Sequence, residues 1–408
     1  MKKQSLFILL ISLIFSAVLF ANSSFAPFGF GEVSLNKDVY SLGMGKTGVG
    51  NLFRINTSLL NPSVALTANN LKIVTAFTKK RVLTQTKEYG SFLNNKSYEF
   101  PYFNIIYPKN RNVYAFSFNS AYLANYTLEK DNSFNDYKTN IYKTGVVYGK
   151  SYPLFNAAIG FYNYGGSLNQ TNRVTTSFLG KDSTYTNKLD FSDNSYGFNL
   201  GFSKMTNEFS FGGVFISPVV LENKIKNSIF ITDTSNVNTS SINQSDYKIK
   251  LPALYFFGAT YQLRRNLLLS IDFGYEVWKS SDFIKTANNS SSIFFGVDYE
   301  SNRLAEKWYL KLPLRGGFYY KRLPFEVNNN SVNEVGFTLG FSVPSKNKNN
   351  RIDISINLLK RGDKSKNLRE DKSVNLSLGI MGFDILSAKK TLKGKRDIPK
   401  ANRVYEDF

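Results

Sequence analysis

Apolar side chains recur at every second position along most of this chain. Leu267, Leu269, Ile271, Phe273, Tyr275 and Val277 share one parity, while Ser270, Asp272, Gly274 and Glu276 take the other. Successive side chains of a strand point to opposite faces, so this stretch predicts a strand with one greasy and one polar face. The pattern repeats. Ile352, Ile354, Ile356 and Leu358 oppose Asp353, Ser355 and Asn357, and Val374, Leu376, Leu378 and Ile380 oppose Asn375, Ser377 and Gly379. Similar sets begin at Tyr114, Tyr196 and Phe337. Acids facing away from the aliphatics make sense where that face looks into a wet lumen.

Strands are predicted near 71–79, 98–107, 112–122, 137–149, 153–164, 192–203, 207–217, 248–262, 265–279, 308–321, 333–343, 350–360 and 372–383. Single-chain bacterial barrels normally have an even number of strands, which predicts one more, near 83–93 or 291–299. The expected fold is therefore all-β, a transmembrane antiparallel β-barrel of about 14 strands. Many of the 36 Phe and 25 Tyr sit at strand ends, where a barrel places rings at both lipid–water boundaries. A soluble sandwich or propeller also alternates, but its strands are shorter and its faces less uniformly apolar. Connections at 108–112, 149–153, 204–207, 264–266 and 345–350 are tight. Those at 124–136, 167–188, 221–247 and 280–306 are long, polar and rich in Asn, Ser and Thr, and read as external loops.

The first residues set the compartment. Lys2 and Lys3 precede an apolar run from Leu6 to Phe20, and small residues follow at Ala21, Ser23 and Ala26. This is the layout of a secretory signal peptide, 1–23, with cleavage after Ser23 or as late as Ala26. A run of about 15 residues is short for a retained span of roughly 20. No later segment is apolar for long enough to be a spanning helix, and only helices and closed barrels satisfy every backbone group in lipid. The expected localisation is the bacterial cell outer membrane.

The sequence has no cysteine and no histidine. That excludes a disulfide scaffold and removes thiol nucleophiles, histidine-dependent triads and most zinc sites. Neither an enzyme nor a cofactor nor a metal is expected. The formal charge is +21, yet the lysines are scattered over turn-like segments, which does not fit a nucleic-acid partner. Either coding bias or contact with anionic outer-membrane lipid and lipopolysaccharide accounts for the excess.

Residues 24–70 do not alternate. They carry Pro27-Phe28-Gly29-Phe30-Gly31, then Leu42-Gly43-Met44-Gly45-Lys46-Thr47-Gly48-Val49-Gly50, then Asn61-Pro62-Ser63. A phosphate loop fails on spacing, since no GxxxxGK[ST] is present and no strand feeds the segment. Gly43, Met44, Gly45 and Gly48, with Asn61 and Pro62 downstream, resemble the N-terminal region of the FadL-type outer-membrane transport proteins and their PorV-like relatives. Lys46 stands where that pattern has a second glycine, and Ser63 where it has alanine. Leu312 to Tyr320 and Glu334 to Phe341 are similar to paired strands near the end of those barrels.

The resemblance implies that 24–70 is a hatch inside the lumen of a barrel formed by 71–383; the last strand ends at Phe383, and an even strand count puts the basic tail 384–408 in the periplasm. The resemblance also implies passage of hydrophobic or amphipathic small molecules, fatty-acid-like, with a PorV-like role beside a secreted-protein partner as the alternative. Parity with the greasy faces assigns Asp272, Glu276, Lys311, Arg315 and Asp353 to the lumen. Arg315 is the candidate to hold a carboxylate, or else to bridge to Asp272 or Glu276.

Overall fold

The computed structural model describes residues 23–25, 31–87, 92–130, 133–176, 181–233, 236–279, 287–301, 311–344 and 350–382. The leader up to 22, the final aromatic Phe383 and the tail from 384 lie outside them.

Fourteen wall strands follow one another in an antiparallel meander. They are β1 (Lys72–Thr86), β2 (Phe92–Glu99 and Tyr102–Lys109), β3 (Asn112–Lys130), β4 (Ser133–Ser151), β5 (Asn156–Thr176), β6 (Lys181–Met205) and β7 (Phe209–Ile216 and Val219–Asp233). Next come β8 (Asn236–Leu251 and Ala253–Arg264), β9 (Leu267–Val277), β10 (Ser290–Tyr299), β11 (Leu314–Val327), β12 (Asn330–Pro344), β13 (Arg351–Asp363) and β14 (Arg369–Met381). Pairing of β14 with β1, from Met381 opposite Val74 to Arg369 opposite Thr86, closes the barrel. The strand sought near 83–93 or 291–299 is β10.

Parity sorts the two faces as predicted. Phe257, Phe273, Phe337, Leu339 and Leu376 are exposed on the outside, while Asn104, Ser117, Ser270, Ser355 and Ser377 are buried inside. Among the described residues no helix is long and apolar enough to cross a membrane. The apolar outer band and the closed ladder make this wall the spanning unit.

Two expectations need correction. The stretches 124–136, 167–188 and 221–247 are mostly strand, because β3 to β8 continue as hairpins well past the apolar band. The stretch 280–306 contains β10. Above the lipid a strand has no apolar face to show, so Asn/Ser/Thr-rich sequence reads as loop although the backbone pairs throughout.

Proline interrupts the ladder at three places: Pro101 in β2, Pro218 in β7 and Pro252 in β8. Its ring nitrogen cannot donate to a neighbouring strand. At Pro101 the consequence is a break in the wall. Tyr102–Lys109 pairs with β3, but Phe92–Glu99 pairs only with β1 among the described residues. The edge of β3 that this leaves open is taken by a short strand of the hatch, with Glu32 opposite Leu123 and Val33 opposite Tyr122.

The lipid-facing assignment has a direct test. Leu339→Arg puts a charge mid-band on β12 and should lower folding stability in liposomes by roughly 2–4 kcal/mol. Urea titration of the wild type and variant measures the difference; an unchanged midpoint would remove β12 from the bilayer.

Candidate functional site

The hatch is built from two capped turns joined by glycines. Asp38 accepts the Ser41 N–H at 2.9 Å and starts α1 (Val39–Gly43). The same carboxylate accepts the Thr57 N–H and hydroxyl at 3.0 and 2.9 Å, tying the two halves of the segment together. Asn61 caps the 3-10 helix Pro62–Thr67, where proline occupies the first position and loses no hydrogen bond.

This segment lies with its backbone directly on wall glycines. Gly340, Gly317, Gly296, Gly258 and Gly212 of β12, β11, β10, β8 and β7 all face it. A Cβ on Gly317 would meet the Gly45 nitrogen at 2.5 Å, and one on Gly340 the Gly43 Cα at 2.8 Å. On β9 the arc carries Asp272 instead, which accepts the Val49 N–H at 3.0 Å. Thr338 of β12 accepts the Gly45 N–H at 2.7 Å and donates to the Gly43 carbonyl at 3.1 Å. Asn61 donates to the carbonyls of Val49 and Phe202 at 2.8 and 3.1 Å. The motif residues Gly43, Gly45, Asn61 and Pro62 are thus seating contacts, and Met44 is fully buried behind them.

Lys46 adopts φ +62, a left-handed conformation that favours glycine. A side chain there costs about 1 kcal/mol. Two contacts offset it: the ammonium lies 3.6 Å from Glu334 and 3.8 Å above the Tyr319 ring.

Four of the five lumen candidates are buried inside the barrel, and they fall into separate networks. Arg315 donates to Ser342 at 2.8 Å and lies 3.4 Å from Asp353. Arg351 donates to the other oxygen of Asp353 at 2.8 Å. Both guanidinium groups cover the ring of Tyr40, at 4.3 and 4.6 Å. Arg315 is therefore bound to Asp353 and stacked on the hatch, rather than bridged to Asp272 or Glu276. Glu276 accepts from Lys321 at 2.6 Å and from the Trp278 indole at 2.8 Å. Lys311 is exposed; it precedes Pro313 and the start of β11 at Leu314, so strand parity does not reach it.

A further network was not legible in the sequence. Arg361 of β13 donates to Glu334 at 2.9 and 2.5 Å and to Glu32 of the hatch at 2.7 Å, and Glu32 also pairs with Lys80 of β1. Lys37 donates to the Lys46 carbonyl and lies 4.2 Å from the Phe294 ring. Glu32, Lys37, Lys46, Glu334 and Arg361 border a cavity of about 210 Å³, whose other walls include Phe25, Leu35, Tyr102, Trp278 and Phe294. Glu99, Pro101 and Leu123 also line it, so the cavity ends on the wall break.

Solved structures share this architecture. A monoaromatic hydrocarbon channel, CymD, superposes with a TM-score of 0.61 at 12% identity, covering 85% of this chain and 97% of that one. A Pseudomonas aeruginosa FadL homologue gives 0.63 at 13%, covering 86% and 99%. The Ralstonia pickettii toluene transporter TbuX gives 0.58 at 15%, covering 86% and 98%. No curated protein sequence matches the chain. At these identities the likeness is one of fold, a closed 14-stranded antiparallel barrel. Within that class the chain belongs to the BamG family, whose model matches residues 1–385.

The glycine arc predicts a specific defect. Gly212→Val drives a side chain into the Val49 carbonyl and should unseat the hatch without opening the ladder. The variant should keep heat-modifiable gel migration yet show discrete conductance steps in planar bilayers. A variant as silent as the wild type would mean the seat tolerates a Cβ.

Proposed function

We propose that this barrel admits small apolar or amphipathic molecules to the cavity beneath the hatch strand and releases them sideways through the break between β2 and β3. The observation that carries the reading is the position of the cavity, which ends where the wall ladder is missing and, among the described residues, the hatch strand Glu32–Val33 stands between. Its size limits the cargo. A cavity of about 150 Å³ accepts benzene, so 210 Å³ suits one ring or a short chain rather than a seated long-chain fatty acid. The lining mixes aromatic rings with charges of both signs, Lys46, Lys321 and Arg361 being paired with Glu334, Glu276 and Glu32, which suits a small apolar or amphipathic molecule. Outer-membrane localisation follows from the same reading, as does contact of the exposed apolar band with lipid. The named neighbours support it, one being described as a monoaromatic hydrocarbon channel and another as a toluene transporter.

A protein-partner role is the second reading. It is favoured by the hairpins of β3 to β8 above the band, where Asn236–Leu251 pairs along only one edge among the described residues. An open strand edge can accept a strand from another chain.

A disulfide separates gating at the break from every alternative. The chain has no native cysteine, and Val33 and Tyr122 are direct partners across an antiparallel pair, within reach of a disulfide. The double variant Val33→Cys/Tyr122→Cys should take up labelled toluene or a short-chain fatty acid when reduced and lose uptake when oxidised. Equal uptake in both states would rule out this exit.

A further inference from the structure

Asp371 of β14 is a buried carboxylate, 1% exposed, whose direct cross-strand partner on β13 is Arg361, a side chain that itself hydrogen-bonds Glu334 and Glu32. Its donors are the Thr84 hydroxyl at 2.6 Å, the Ser24 hydroxyl at 2.8 Å, the Ser24 N–H at 2.9 Å and the Ser23 hydroxyl. Arg361 is engaged by those two glutamates, so the hydrogen bonds that Asp371 accepts come from neutral groups, and a charged donor in place of one would hold it more strongly. The chain itself can supply the cation at Ser24.

We propose that the leader is cut between Ser23 and Ser24, and that the new α-ammonium of Ser24 becomes the counter-ion of Asp371. Water adds across the peptide bond: Ser23 leaves with a carboxylate, and the Ser24 nitrogen gains protons to become an ammonium. The catalyst is a leader peptidase, acting on the extended precursor before the barrel closes over the site. The substrate side fits, with Ala21 and Ser23 supplying the small residues such an enzyme accepts at the third and first positions before its cut. The later cut would place Pro27 directly after the scissile bond.

The socket discriminates between the two cuts. Arg369 donates to the Ser24 carbonyl at 3.0 Å. Phe25 is 1% exposed, stacks on Phe325 at a centroid distance of 6.4 Å and lies over Gly362, where a Cβ would collide with the ring. Cutting after Ala26 discards every one of these contacts and leaves Thr84 as the hydrogen-bond donor to Asp371 among the described residues. Cutting after Ser23 discards only the Ser23 hydroxyl and replaces a neutral N–H with a charged donor, which makes the shorter and stronger class of hydrogen bond. Processing then completes the seat: the α-amine fastens the start of the hatch to β14, beside the seam where β14 meets β1.

N-terminal sequencing and intact mass of protein purified from outer membranes test the cut. A chain starting at Ser24 is the expected result; a start at Pro27, or a retained leader, overturns the proposal. The ion pair has its own readout. Amine-reactive labelling near neutral pH, followed by peptide mapping, should find the Ser24 α-amine protected in the folded wild type. Asp371→Asn should speed its labelling by roughly tenfold or more, the equivalent of at least about one pKa unit. Thr84→Val, which loosens the same carboxylate without removing its charge, should stay within about twofold of wild type. Equal labelling of wild type and Asp371→Asn would show that the amine is not held by this acid, whatever the folding yield of the variant.

Discussion

A wall of 14 strands encloses more space than its own inward side chains can fill. Barrels of about eight strands fill with side chains, while those of 16 to 18 leave an aqueous channel. The hatch resolves the difference by laying main chain on main chain. Gly43 against Gly340, Gly45 against Gly317 and Gly50 against Gly258 bring the backbones closer than any side chain would permit. The rest of the interior depends on this seat, because it sets how deep the hatch lies and which of its residues meet which strand.

Backbone seating alone would leave the lumen's charges to water. Instead several buried ions of the wall are matched by particular parts of the plug. Asp272 takes the Val49 amide, Glu334 takes Lys46, Arg361 takes Glu32, and the pair Arg315 and Arg351 takes the ring of Tyr40. Removing one partner of such a pair strands the other in a poorly solvated interior, at a cost of several kcal/mol. The overall charge of +21 therefore says little about the interior, where acids and bases are interleaved.

The fold was legible because lipid enforces period two on every spanning strand, and β9, β13 and β14 show it over most of their length. Legibility ended where lipid ends. The outer hairpins of β3 to β8 need no apolar face, so their strands look like loops, and β10, with three consecutive serines at Ser290–Ser292, nearly escaped notice. Parity also misled at Lys311, because it was carried past Pro313 to a residue that precedes the strand. Burial of Asp272, Glu276, Arg315 and Asp353 followed from parity, but their partners did not. Glu32 and Arg361 are 329 residues apart, and no local pattern links residues so distant. Lys46 had a signal, since a lysine at a glycine position implies compensating contacts, and Glu334 with Tyr319 supplies them.

Seat and break differ sharply in how firmly they are held, and this decides which part of the plug can move. The glycine arc engages five strands through close main-chain contact, so withdrawing it would open many gaps at once. The hatch strand is held to β3 by two residue pairs and the Ser34 N–H to the Ala121 carbonyl at 2.9 Å. Each such hydrogen bond contributes only about 1 kcal/mol net. Its stronger anchor is Glu32, yet when Glu32 leaves, Arg361 keeps Glu334 and Lys80 keeps Glu99 within electrostatic reach. Local peeling of residues 31–35, with the arc undisturbed, is thus the low-cost motion this architecture offers, and it opens the cavity toward the wall break rather than along the barrel axis.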